Sequence, residues 1–221
     1  MAKFVPTYTG TLRNHSLTLP TCISECGGIR IFGRRIKSLA FSTDVAIIKN
    51  INADAIIAVY PFTPQPVVSQ AIITVSDVPV FVGVGGGITT GPRAVRLAVQ
   101  AEHQGAFAVV LNAPTPNEVI REIKDVVDIP VVLTVVSAHT DIRGRLAAGA
   151  DIFNVSGAAA TPDIVAEIRR ELPEVPIIAT GGPTEESILR TIRAGANAIT
   201  YTPPTNGELF AHLMEKYRQQ S

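Results

Sequence analysis

Two kinds of apolar run alternate along the chain. One follows a small residue and a turn: Ala53-Asp54-Ala55-Ile56-Ile57, Gly105-Ala106-Phe107-Ala108-Val109, Gly149-Ala150-Asp151-Ile152-Phe153 and Gly195-Ala196-Asn197-Ala198-Ile199. The other follows an aliphatic-proline step: Val78-Pro79-Val80-Phe81-Val82, Ile129-Pro130-Val131-Val132-Leu133 and Val175-Pro176-Ile177-Ile178-Ala179. Both read as strand starts. Glycine suits the left-handed cap of a preceding helix, and proline is tolerated at a strand's first residue, where its missing N–H is not needed. A further run, Ile36-Lys37-Ser38-Leu39-Ala40-Phe41, precedes them all and supplies the first strand. The pattern predicts eight strands, starting near Ile36, Ala55, Val80, Phe107, Val131, Ile152, Ile177 and Ala198.

Helical patterns fill the gaps between these runs. Thr115-Pro116-Asn117-Glu118 and Thr205-Asn206-Gly207-Glu208 have the S/T-x-x-E form of a capping box, and Thr63-Pro64 and Thr161-Pro162 repeat the Thr-Pro opening. Glu118, Val119, Ile120, Ile123, Val126 and Val127 follow helical periodicity. Eight strands alternating with helices predict an α/β fold, a closed (β/α)8 or TIM barrel over residues 36–221. An open doubly wound sheet is the rival, but it lacks support from a strand-order break or a dinucleotide fingerprint. Residues 1–35 lie outside the repeat as an N-terminal extension. Within it, Ile29 to Ile36 alternates and turns at Gly33, which predicts a hairpin plugging the N-terminal end of the barrel with its arginines in solvent.

Composition narrows the function classes. The chain has 221 residues, 46% of them hydrophobic, and nineteen basic residues balance nineteen acidic ones. No like-charge run suggests nucleic acid or an anionic membrane as a partner. No apolar stretch approaches a membrane span, and Met1 to Leu19 is polar without an apolar signal core, so the cytoplasm is the expected location. The only cysteines, Cys22 and Cys26, have no second pair to complete a zinc site and read as free thiols. The four histidines, His15, His103, His139 and His212, share no ligand spacing, so no catalytic metal is expected.

Active sites in this fold collect at the C-terminal ends of the strands. Asp44, after the first strand, is the only carboxylate expected directly at a strand end. It can transfer a proton or cap the following helix. Five glycines, Gly83, Gly85, Gly86, Gly87 and Gly91, crowd the loop after the third strand, and Thr89, Thr90 and Arg93 add donors at the next helix N-terminus. Such a loop brings backbone N–H groups close to an anion, or makes a tight turn. Asn112, His139, Asn154, Thr180, Tyr201 and Thr202 complete the candidates at the strand ends.

The stretch from Ile129 to Thr202 resembles the later half of ribulose-phosphate-binding barrels. It is similar to thiamin phosphate synthases, to phosphogluconate-type aldolases and to the barrel of IMP dehydrogenases. The matching residues are Gly149-Ala150-Asp151, Ala179-Thr180-Gly181-Gly182 and Ala194-Gly195-Ala196-Asn197-Ala198-Ile199. The resemblance implies that Gly181 and Gly182 hold a phosphate. The chain departs from those families at Tyr201-Thr202-Pro203-Pro204, where two prolines remove N–H donors, and at Glu185 and Glu186, which repel an anion. No lysine ends a strand for Schiff-base chemistry, and no cysteine lies on the catalytic face.

The expected function is a metal-independent enzyme of lyase, isomerase or transferase type, acting on a small anionic, phosphorylated metabolite. Gly85, Gly86, Gly87, Thr89, Thr90, Arg93, Thr180, Gly181 and Gly182 would hold the anion. Asp44 would handle the proton, with Asn112, Asn154 and Tyr201 orienting polar groups. A hydrolase using Asp44 or His139 to activate water is an alternative. So is a non-catalytic barrel holding a nucleotide or flavin, and a homo-oligomer stays open as the assembly.

Overall fold

The computed structural model describes residues 3–8, 10 and 17–220; His15 lies outside the described residues. A two-stranded antiparallel hairpin, β1 (Ile29–Ile31) and β2 (Arg34–Ile36), precedes eight parallel strands. These are β3 (Ser38–Phe41), β4 (Ala55–Ala58), β5 (Val80–Gly85), β6 (Ala108–Leu111), β7 (Val131–Val135), β8 (Ile152–Val155), β9 (Ile177–Thr180) and β10 (Ala198–Tyr201). They close in sequence order, with β10 pairing β3, so the expected (β/α)8 barrel forms. Helices α1 (Val45–Asn50), α2 (Pro66–Val75), α3 (Pro92–His103), α4 (Asn117–Lys124), α5 (Ile142–Ala147), α6 (Thr161–Glu171), α7 (Glu185–Arg193) and α8 (Asn206–Gln220) follow the strands in turn. The first barrel strand starts at Ser38 rather than Ile36, because Ile36 pairs with Ile29 in the hairpin.

Strand side chains alternate between two faces, and here the two faces form two separate buried clusters. The outer one lies between strands and helices. The inner one fills the barrel with Leu39, Phe81, Val132 and Ile178 from β3, β5, β7 and β9, and with Ala55, Ala108, Ile152 and Ala198 from the strands between. Three of the second four are alanines, and the space they leave is taken by Ile29, Ile31 and Ile36 of the hairpin. The hairpin is therefore the plug that the sequence predicts. Phe32 at its tip meets the Phe107 ring edge-on at 5.3 Å, and Phe107 in turn lies 6.4 Å from Phe81.

The alternating sequence signature has a hydrogen-bonding reason. A polar residue one position before β4, β8 and β10 accepts from the free backbone N–H at the start of the preceding strand. Asp54 accepts from Lys37 N at 2.8 Å and from Ser38 N at 3.0 Å; Asp151 accepts from Val131 N at 2.8 Å; Asn197 accepts from Ile177 N at 2.9 Å. At β6, Phe107 occupies this position and offers no side-chain acceptor; separately, Glu102 of α3 accepts from Asp128 N and Ile129 N, ahead of β7. Asp54→Ala would leave two N–H groups and the Ser38 hydroxyl without their acceptor. It is expected to lower stability by about 1–3 kcal/mol in urea denaturation.

The segment before the hairpin closes the helix layer. A 3-10 turn over Thr21–Glu25 packs against α7, and Leu17 bridges to Ile51 after α1. Cys22 and Cys26 are free, and burial pushes the Cys26 thiol up to about 11. Three helix openings differ from expectation, α6 among them, which starts at Thr161 itself after Ala160. Helix α4 starts at Asn117 because the Thr115 hydroxyl turns back to donate to Asn112 O, and α2 starts at Pro66, after Gln65 rather than Thr63. The box at Thr205 forms, with Thr205 N donating to Glu208 at 2.7 Å and Glu208 N donating to Thr205 at 3.2 Å. Among the described residues, no helix is long and apolar enough to cross a membrane.

Candidate functional site at the barrel mouth

Toward the C-terminal ends of the strands the inward positions change character. Two residues further along each strand they are Phe41 on β3, Ile57 on β4, Gly83 on β5, Val110 on β6, Thr134 on β7, Asn154 on β8, Thr180 on β9 and Thr200 on β10. Half of the mouth is thus apolar or bare, and the other half is a wall of hydroxyls and one amide without charge. Asn154 Nδ2 donates to Thr134 Oγ1 at 3.4 Å, and Thr180 Oγ1 lies 3.3 Å from Ser156 Oγ. Asn154 and Thr200 are 9% and 6% exposed, yet Asn154 Oδ1 and Thr200 Oγ1 have no hydrogen-bond partner. An unpaired buried polar atom costs about 1–3 kcal/mol, so each of these oxygens calls for a partner.

On the bare side, a cavity of about 130 Å³ opens between the loops after β4, β5 and β6. Tyr60, Phe62, Thr63, Gly87, Thr89 and Asn112 line it. Thr89 is buried and its hydroxyl donates to Thr63 Oγ1 at 3.1 Å, joining two of these loops. Beside it, Gly91 precedes α3, whose first turn has no side-chain cap. Thr90 and Arg93, on either side of Gly91, are exposed and lie outside the cavity's lining.

The glycines of this loop are explained first by the chain itself. Gly86 has φ +103°, and a methyl there would lie 2.6 Å from Asn112 N and collide with the Thr115 hydroxyl. At Gly85 the added carbon would run into Thr89 O. Asn112 N donates to Gly85 O, and Gly86 N donates to Thr89 O, so the loop folds back on its neighbour. Arg145 of α5 holds that neighbour from the far side through Ala113 O, Thr115 O and Asn117 Oδ1. Only Gly87, of the three adjacent glycines, has open space where a side chain would stand. On the other side, a methyl at Gly181 would lie 2.8 Å from both Ile188 and Ile199, and Gly182 turns against Ser187. Both glycine motifs thus serve close packing of loop, helix and strand.

Asp44 caps α1. Its Oδ1 accepts from Ala46 N at 2.8 Å and Ile47 N at 3.3 Å, while Oδ2 makes neither bond. His139 is exposed in the turn after β7, where its N–H donates to Ser137 Oγ at 3.2 Å. Tyr201 falls on the opposite face from Thr200 and packs against the outer cluster. Thr202 is exposed just beyond it, ahead of Pro203. The inward Thr134 was not among the candidates from sequence, and Thr200, at the end of the last strand, was given no role there. The signal for them was parity: counting in twos from Val132 and Ala198 reaches both.

Among the described residues, no group of three or more His, Cys, Asp or Glu side chains could hold a metal ion. The loop carboxylates Asp44 and Asp141 both accept from their own helix N-termini, after β3 and β7 respectively.

No family model matches the chain. No curated protein matches it either. Solved structures do share its fold. A 2,3-dimethylmalate lyase, described as a PEP mutase/isocitrate lyase superfamily member, superposes with a TM-score of 0.64 at 14% identity, covering 90% of this chain and 84% of that one. A phosphonopyruvate hydrolase in complex with oxalate and Mg²⁺ gives 0.60 at 15% identity, over 83% and 80%. A mandelate oxidase mutant carrying an FMN adduct gives 0.60 at 18% identity, over 80% and 68%. At such identities the likeness is one of fold, and the chain is a (β/α)8 barrel.

Proposed function

We propose that the protein is an enzyme that binds a small anionic metabolite, phosphorylated or carboxylated, in the barrel mouth and transforms it by a lyase, isomerase or transferase reaction. The observation that carries this reading is the cavity between the loops after β4, β5 and β6, whose lining reaches Thr89, three residues before the twelve-residue helix α3 opens without a side-chain cap. Unpaired N–H groups and the positive end of the helix dipole favour an anion there, and Arg93 adds a full charge. Lyases and hydrolases of small carboxylates and phosphonates among the similar structures support the substrate class. The cavity, at about 130 Å³, suits a ligand of a few heavy atoms. It is small for a flavin or nucleotide, whose pockets span roughly 300–1,000 Å³. The second glycine turn, Gly181-Gly182, is less favourable to an anion because Glu185 and Glu186 open α7 beside it.

Asp44 moves the proton in this reading. Its cap uses Oδ1 alone, so Oδ2 is left for chemistry. Asp44→Asn keeps the capping oxygen and replaces Oδ2 by an amide. The expected result is stability unchanged within about 0.5 kcal/mol, because Asn caps as well as Asp, and turnover reduced by roughly a hundredfold or more. The assay follows conversion of a panel of small phosphomonoesters and hydroxycarboxylates by NMR. Equal turnover by wild type and variant would remove Asp44 from the mechanism. The reaction is proposed to be metal-independent, so chelator treatment should leave turnover unchanged; loss restored by magnesium, manganese or zinc would contradict this.

A further inference from the structure

We infer that Asn154 and Thr200 form a second subsite, which takes a hydroxyl group of the substrate, so that the substrate class is a small anion bearing a hydroxyl. The inference rests on the reading of the mouth as a small-anion site. The two residues point inward from β8 and β10, on either side of Thr180 on β9. Both are more than nine-tenths buried, and both carry an unpartnered oxygen. The interior below them is built from Leu, Ile, Val, Ala and Phe, so an apolar residue at either place would suit folding better.

The chemistry of the two oxygens selects the ligand group. Asn154 Oδ1 only accepts, whereas the Thr200 hydroxyl both donates and accepts. A carboxylate or phosphate oxygen is an acceptor and cannot satisfy Asn154 Oδ1. A hydroxyl donates and accepts, so its chemistry suits either atom. The wall is neutral, which matches an uncharged part of the ligand rather than its anionic end. The anion then lies toward α3, across the mouth.

Three probes separate this inference from the reading it rests on: inorganic phosphate, n-propyl phosphate and glycerol 3-phosphate. They are titrated into the full chain while the Asn154 side-chain amide and the Gly87 to Thr90 backbone amides are followed by NMR. All three are expected to shift the Gly87 to Thr90 amides, and only glycerol 3-phosphate to shift the Asn154 amide. Glycerol 3-phosphate should bind about tenfold more tightly than n-propyl phosphate, the worth of one well-made hydrogen bond to an otherwise unpaired group. In Thr200→Val and Asn154→Leu this preference should fall to near unity, with phosphate affinity within about twofold of wild type. Thr200→Val is isosteric and should melt about 2–4 °C higher, because its unpaired hydroxyl is gone. Should Asn154→Leu fail to fold, Thr200→Val alone decides the comparison. Equal binding of the two esters, a preference that survives Thr200→Val, or a lower melting temperature in that variant each overturns the subsite. If the loop amides stay still while the Asn154 amide responds to glycerol 3-phosphate, the anion site fails and the subsite stands. If neither set moves, both fall.

Discussion

Phe81→Ala is expected to destabilise the protein by about 3–5 kcal/mol and to lower its melting temperature by roughly 10 °C. Phe81 is fully buried inside the barrel, where Ala55, Ala108 and Ala198 supply little volume around it. It also ends the aromatic chain from Phe32 through Phe107, so truncation removes support from the hairpin plug. A cavity left there can collapse only by moving strands that are locked in a closed ring of parallel pairs. Thermal and urea unfolding measure the loss directly. A change below about 1 kcal/mol would mean that the interior is not packed around this ring as described.

Gly86→Ala is expected to lose about 2–4 kcal/mol, from a strained positive φ together with overpacking against backbone. The added methyl meets Asn112 N and the Thr115 hydroxyl, neither of which can swing aside, because the Arg145 guanidinium holds the loop of residues 113–117. Gly87→Ala makes the contrast, since nothing lies within 4 Å of its added carbon. It should leave stability within about 0.5 kcal/mol of wild type, as surface changes do, while crowding the cavity and weakening phosphate binding severalfold. Weakened binding in Gly86→Ala therefore says little about the ligand, and Gly87 is the better probe. Equal stability of the two alanine variants would contradict the loop geometry.

The barrel was legible in the sequence because two independent local rules repeat in phase. Turn glycines and strand-opening prolines mark where each strand starts, and Asp54, Asp151 and Asn197 recur because each strand start needs an acceptor for its free N–H. Seven strands start within one residue of expectation; the first is displaced because Ile36 serves the hairpin. The site was legible only in outline. Strand ends were found, but a strand end is two faces one residue apart, and Tyr201 and Thr200 lie on different ones. Glycine clusters were also found, but a small residue signals only that something approaches the backbone. At Gly86 and Gly181 that something is the chain itself. Asp44 shows the same limit: capping and proton transfer ask for one residue type at one position, and the cap is the part that the structure displays.

The most direct test of the small-anion reading is a titration of the isotopically labelled protein with inorganic phosphate, followed by backbone amide shifts. The predicted result is saturable shifts at millimolar phosphate, confined to Gly87 through Arg93 and the facing residues Thr63 and Asn112, and reduced in Gly87→Ala. Unmoved amides across that loop at tens of millimolar phosphate, or shifts equally large at surface sites far from the mouth, would contradict it.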